Sequence, residues 1–151
     1  MPWGLRRAWG RGIMPPMNSP SSSPRASVPA AQPTVYFDGA CPVCRREIAY
    51  YQQQAGAEGL CWVDAAACTP EALGPDLARP QALARLHLRQ ADGRLIQGAA
   101  AFLHLWAALP RTARWARWAL ARPRLVALLD LAYEGFLRLR RLWRPPMKRD
   151  T

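Results

Sequence analysis

The stretch Asp38-Gly39-Ala40-Cys41-Pro42-Val43-Cys44-Arg45-Arg46 constrains this chain more than any other part of it. It follows a short β-rich run, Thr34–Phe37, and opens with an Asp-Gly turn signal. Pro42 sits where a first helical turn tolerates proline. Cys44–Gln54 then reads as a helix with Ile48 and Tyr51 on its apolar face. Two thiols separated by two residues at a helix start can close a disulfide with little backbone change. The first lies near the unsatisfied N–H groups of the helix N-terminus, whose partial positive charge, helped by Arg45 and Arg46, favours a thiolate. The spacing therefore predicts Cys41 as an exposed nucleophile and Cys44 as the buried thiol that resolves a mixed disulfide.

Further along, Gly56 and Gly59 end the helix and Leu60–Val63 reads as a second strand. Asp64–Ala67 leads to a helix opened by Thr69-Pro70-Glu71. Leu83–Leu88 alternates apolar residues with Arg85 and His87, and Asp92-Gly93 then turns into Leu95-Ile96, which predicts a hairpin. Gly98–Leu109 is an apolar helix. The order β-α-β-α-β-β-α over residues 34–109 describes one α/β domain. Residues 110–144 then form a basic helical extension, two helices broken at Pro123. In the second, Leu125, Leu128, Leu129, Ala132, Phe136, Leu139 and Trp143 recur at helical spacing. Arg138, Arg140, Arg141 and Arg144 crowd its C-terminal end, where cations complement the helix dipole.

The net charge of +11 suggests a nucleic-acid or membrane binder until it is divided along the chain. Residues 1–33 carry +4, residues 34–109 carry −1 and residues 110–151 carry +8. The basicity belongs to the ends and not to the central fold. Residues 1–33 hold seven prolines and a serine-rich run, and are expected to be a disordered tail, as are residues 145–151. Met14 and Met17 offer later starts, and the tail contains no apolar run long enough for a secretory signal. No apolar run approaches the ~20 residues of a membrane span. The helix of Trp115 and Trp118 and the stripe from Leu125 to Trp143 have three readings. They cap the core, they lie on an anionic membrane, or they hold a partner; nucleic acid is least favoured because no recognised motif accompanies the charge.

Two other readings compete at the cysteines, structural zinc and a purely structural disulfide or idle thiols. Cys41, Cys44, Cys61 and Cys68 could coordinate zinc in an interaction module with basic helices, although the last pair is too widely spaced for the usual knuckle. Cys61 falls in an apparent strand and reads as a small buried hydrophobe. A carboxylate three residues before Cys41 could relay a thiol proton, or Asp38 could be ordinary turn chemistry. Asp64 reads as a turn residue, His87 as a half-buried strand side chain and His104 as a packed or surface histidine.

Val35-Tyr36-Phe37-Asp38-Gly39-Ala40-Cys41-Pro42-Val43-Cys44 resembles the DCC family of thiol-disulfide oxidoreductases, named for its Asp-x-x-Cys-x-x-Cys signature. Trp62-Val63-Asp64, His87-Leu88-Arg89 with Ala91-Asp92-Gly93-Arg94, and Gly98-Ala99-Ala100-Ala101-Phe102 look like the same family. The resemblance implies a thioredoxin-like core with Asp38, Cys41 and Cys44 as its signature residues. The function expected of this chain is exchange with a thiol or disulfide substrate, a protein, with electrons from an external thiol reductant and no metal or organic cofactor. A cytoplasmic setting is expected, with peripheral membrane contact through the C-terminal helices. Thioredoxin-like proteins usually carry a cis-proline just before the third strand, and Pro80 is the nearest candidate.

Overall fold

The computed structural model describes residues 31–144. The expected disordered segments therefore lie outside the described residues, apart from positions 31–33. β1 (Thr34–Phe37) passes through the cysteine turn into α1 (Pro42–Gln52) and a 3-10 turn (Ala57–Gly59). β2 (Cys61–Asp64), α2 (Pro70–Leu73) and α3 (Arg79–Ala84) follow. The hairpin of β3 (His87–Arg89) and β4 (Leu95–Gln97) leads to α4 (Gly98–Ala108), α5 (Ala113–Leu120) and α6 (Pro123–Arg140). The sheet order is β2-β1-β3-β4, with β1 parallel to β2 and antiparallel to β3, and β3 antiparallel to β4. This is the expected α/β order, with its central helix divided in two.

The period of two along β1 places successive side chains on opposite faces of the sheet. Val35 joins Ile48, Tyr51, Leu88, Leu105 and Leu109 in one core, and Tyr36 joins Leu73, Leu77, Ala82 and Leu83 in the other. β1 is therefore buried on both faces, and its C-terminal end delivers Asp38 and the cysteines to a fixed place. The Asp-Gly turn of the hairpin forms as expected, with Gly93 at a φ of 89°.

Two expectations need correction. The strand expected over Leu83–Leu88 begins only at His87, because Leu83 belongs to α3. That helix is set by Pro80 in its first turn, by the Gln81 side chain accepting from Ala78 N at 3.2 Å, and by Arg79 donating to the Ala65 and Cys68 carbonyls. Pro80 is a first-turn helical proline, and no cis peptide bond occurs among the described residues.

The second correction concerns α6. Of the expected stripe, Leu128, Ala132, Leu139 and Trp143 are exposed, as is Leu131 beside them at 70%. The inward face is more polar. Asp130 Oδ1 accepts from Ala99 N at 3.0 Å, capping α4 from outside, and Tyr133 Oη accepts from Leu86 N at 2.9 Å. Arg140 is buried at the same face. Helix α5 likewise buries Ala113, Ala116 and Ala119 and leaves Trp115 and Trp118 outside.

Candidate active site

The turn before the cysteines is held by its backbone. Asp64, at the end of β2, accepts from Gly39 N at 2.9 Å and from Ala66 N at 2.8 Å. A Cβ at position 39 would run into the Asp64 carboxylate, so glycine is required there. Asp64 thus does turn work, as expected, and also ties the cysteine turn to the neighbouring strand. Cys41 is the N-cap of α1, and its Sγ accepts from Cys44 N at 3.5 Å. This is the helix-start setting expected for a stabilised sulfur.

Accessibility differs from expectation. Cys41 is fully buried, at 0% exposure, whereas Cys44 is partly exposed. Burial, and then the hydrogen bond shared with Cys41, push the Cys44 thiol up to about 12, with Arg140 pulling the other way. Cys44 therefore holds its proton while Cys41 occupies the helix start.

The cations come from α6 and the residues just after it. Arg140 Nη1 donates to Cys44 Sγ at 3.5 Å, and its Nη2 donates to the Leu83 and Ala84 carbonyls at 2.8 and 3.0 Å. Asp38, 3% exposed, accepts from Arg144 Nε at 2.5 Å and lies 3.8 Å from Arg140 Nη1. Burial opposes the Arg140 charge, but the Cys44 sulfur and the charges of Cys44, Asp38 and Cys41 outweigh it and raise its proton affinity. From sequence these two arginines were expected only in a cluster at the helix C-terminus, complementing its dipole. They turn inward because a buried carboxylate needs a partner.

Glu47 was also missed. It lines a cavity of about 20 Å³ with Asp38, Cys44, Tyr133 and Arg140, and burial raises its carboxyl above the usual range despite the Tyr51 hydroxyl donated to it at 2.9 Å. Its position three residues after Cys44 on one helix face was the available signal.

The remaining candidates stay apart from this cluster. His87 is buried, with Nδ1 3.0 Å from the Arg85 carbonyl, and His104 meets the Gln90 amide at 3.2 Å. Cys61 is exposed at the start of edge strand β2 rather than buried. Among the described residues no three Cys, His, Asp or Glu side chains gather as a metal site, so the four-cysteine zinc alternative has no ligand set there.

Comparison with curated proteins and with solved structures gave no match. A family model described as DCC1-like thiol-disulfide oxidoreductase matches residues 35–145, from β1 through both inward arginines. With the signature cysteines at the start of α1 and a sheet of the expected order, the chain belongs to the DCC1-like thiol-disulfide oxidoreductase family.

Proposed function

We propose that Cys41 and Cys44 cycle between dithiol and disulfide in exchange with a protein thiol or disulfide. The Cys41 thiolate attacks the substrate disulfide, forms a mixed disulfide and expels one substrate thiolate. Cys44 then gives up its proton, attacks Cys41 Sγ and expels the second substrate thiolate. Two electrons pass to the substrate, and the chain keeps the Cys41–Cys44 disulfide until an external thiol reductant reverses the sequence. Asp38 assists by pairing with Arg144 and lying near Arg140, the donor to Cys44 Sγ, and Glu47, which lines the small cavity that Cys44 also lines, takes the Cys44 proton in this reading. The observation that carries this reading is the asymmetry of the pair. One sulfur caps the helix, while the other keeps its proton beside Arg140.

Because Cys41 is buried, the reading includes an opening step before attack. Iodoacetamide at pH 7 should then label exposed Cys61 before Cys41 in the reduced native chain, and a disulfide substrate should be consumed all the same. Cys44→Ser should trap a mixed disulfide at Cys41, and Cys41→Ser should abolish exchange. Equal residual exchange in both variants would overturn the order of attack.

The cytoplasm, with a thiol reductant pool, is the compartment that suits this cycle. We also propose that the exposed apolar residues Trp115 and Trp118 of α5, Leu128 and Leu131 of α6 and Leu142 just after it, with the arginines near them in sequence, are where the chain touches an anionic bilayer. No helix among the described residues is long and apolar enough to cross one.

A further inference from the structure

A cavity of about 470 Å³ opens between α3 and the C-terminal end of α6, with Arg140, the donor to Cys44 Sγ, in its wall. Its lining includes Arg85, Arg138, Arg140, Arg141 and Arg144, with Glu134 as the single carboxylate. Glu134 is taken by Arg85 at 2.5 Å, and Asp38 is shared by Arg144 and Arg140. Arg138 and Arg141, both exposed, pair with no carboxylate among the described residues. Arg144 Nη2 is buried and has no hydrogen-bond partner among the described residues. That buried atom is out of reach of the cavity's contents, so the exposed Arg138 and Arg141 are the donors free for a ligand there.

We propose that this cavity binds the carboxylates of acidic peptide thiols and disulfides and so presents their sulfur to Cys41 and Cys44, an inference that rests on the exchange reading above. Guanidinium groups bind carboxylates through paired N–H donors. The volume lies within the range of about 300–1,000 Å³ usual for ligand pockets, enough for a short acidic segment. Arg140 forms part of the cavity wall and also donates to Cys44 Sγ at 3.5 Å, so one guanidinium links the cavity to the Cys44 sulfur. In the exchange, one substrate disulfide accepts two electrons from the Cys41/Cys44 dithiol. Two acidic peptide thiols leave, and the chain retains the disulfide.

The test uses the reduced full chain and the disulfide-linked dimers of three N-acetyl peptide amides, Glu-Cys-Glu, Gln-Cys-Gln and Lys-Cys-Lys. The acidic dimer should react about tenfold faster than the neutral one, the basic dimer should be slowest, and the ratio should shrink as salt is added. Arg138→Gln with Arg141→Gln should lower the acidic-to-neutral ratio. The S-methylated acidic peptide, which cannot exchange, should bind by calorimetry, and its lysine counterpart should not. Equal rates for the three dimers, or no binding of the S-methylated acidic peptide, would overturn the assignment. If no dimer reacts and the S-methylated acidic peptide still binds, the cavity keeps its ligand and the exchange reading falls.

Discussion

Asp38 reaches almost no solvent, yet its carboxylate meets Arg144 at 2.5 Å and lies close to Arg140. Removing one partner from a buried ion pair leaves the other uncompensated, which costs far more than the net value of the pair. Asp38→Asn should therefore lower the free energy of unfolding by about 3 kcal/mol in a urea titration. Arg138→Gln, on the exposed side of the same helix, should change it by less than about 0.5 kcal/mol. Two other buried groups set an opposed pH dependence. Burial holds the His87 proton affinity below its ordinary 6.5, so near that pH the unfolded chain binds more protons. This contribution to stability is present above pH 6.5 and is lost as the pH falls below it. Burial raises Glu47 above its ordinary 4.5, so the folded chain binds more protons there, and that contribution is lost as the pH rises through the raised value. His87→Gln should flatten the acid side of the stability profile. Glu47→Gln should raise stability at pH 7 and lose that advantage below pH 4.5, both measured as denaturant midpoints against pH.

At the scale of elements, α6 separates what its sequence pattern tells from what its position decides. Apolar spacing identified a helix there, but not which side faces inward. Asp130 and Tyr133 are aimed at backbone donors on Ala99 and Leu86, which lie 31 and 47 residues away. No local pattern encodes such partners. The cysteine turn was readable because its signals are local, namely an Asp-Gly turn, a proline in the first helical turn and a capping sulfur. The third strand was misread because Ala84, Leu86 and Leu88 alternate with Arg85 and His87 across the boundary between α3 and β3. Cys41 was placed at the helix start correctly, whereas its burial depends on packing that spacing does not record. Asp130→Ala should cost about 1 kcal/mol through loss of the α4 cap. Leu131→Ser should change stability by less than about 0.5 kcal/mol, while Leu103→Ala, deep in the interior, should cost about 2–5 kcal/mol. Thermal melts of the three variants would check the assignment of faces.

For the molecule as a whole, the charge of the C-terminal part divides between two tasks. Arg140 donates to Cys44 and Arg144 to Asp38, and the arginines near Trp115, Trp118 and Leu128 in sequence remain outside. Binding to anionic vesicles should therefore fall as salt rises, by about 1 kcal/mol for each engaged arginine lost to screening, and should be absent with neutral lipid. Co-sedimentation at low salt reads this directly, and no pelleting with anionic lipid would leave the outer face without a membrane role. The Asp38–Arg144 pair spans 106 residues of chain, and this fixes an order of events during synthesis. At about 5–20 residues per second, the two thiols are synthesised on the order of 5–20 s before Arg140 and Arg144. Through that interval Cys44 lacks the guanidinium that donates to it, so the two sulfurs meet any stray oxidant without α6 beside them.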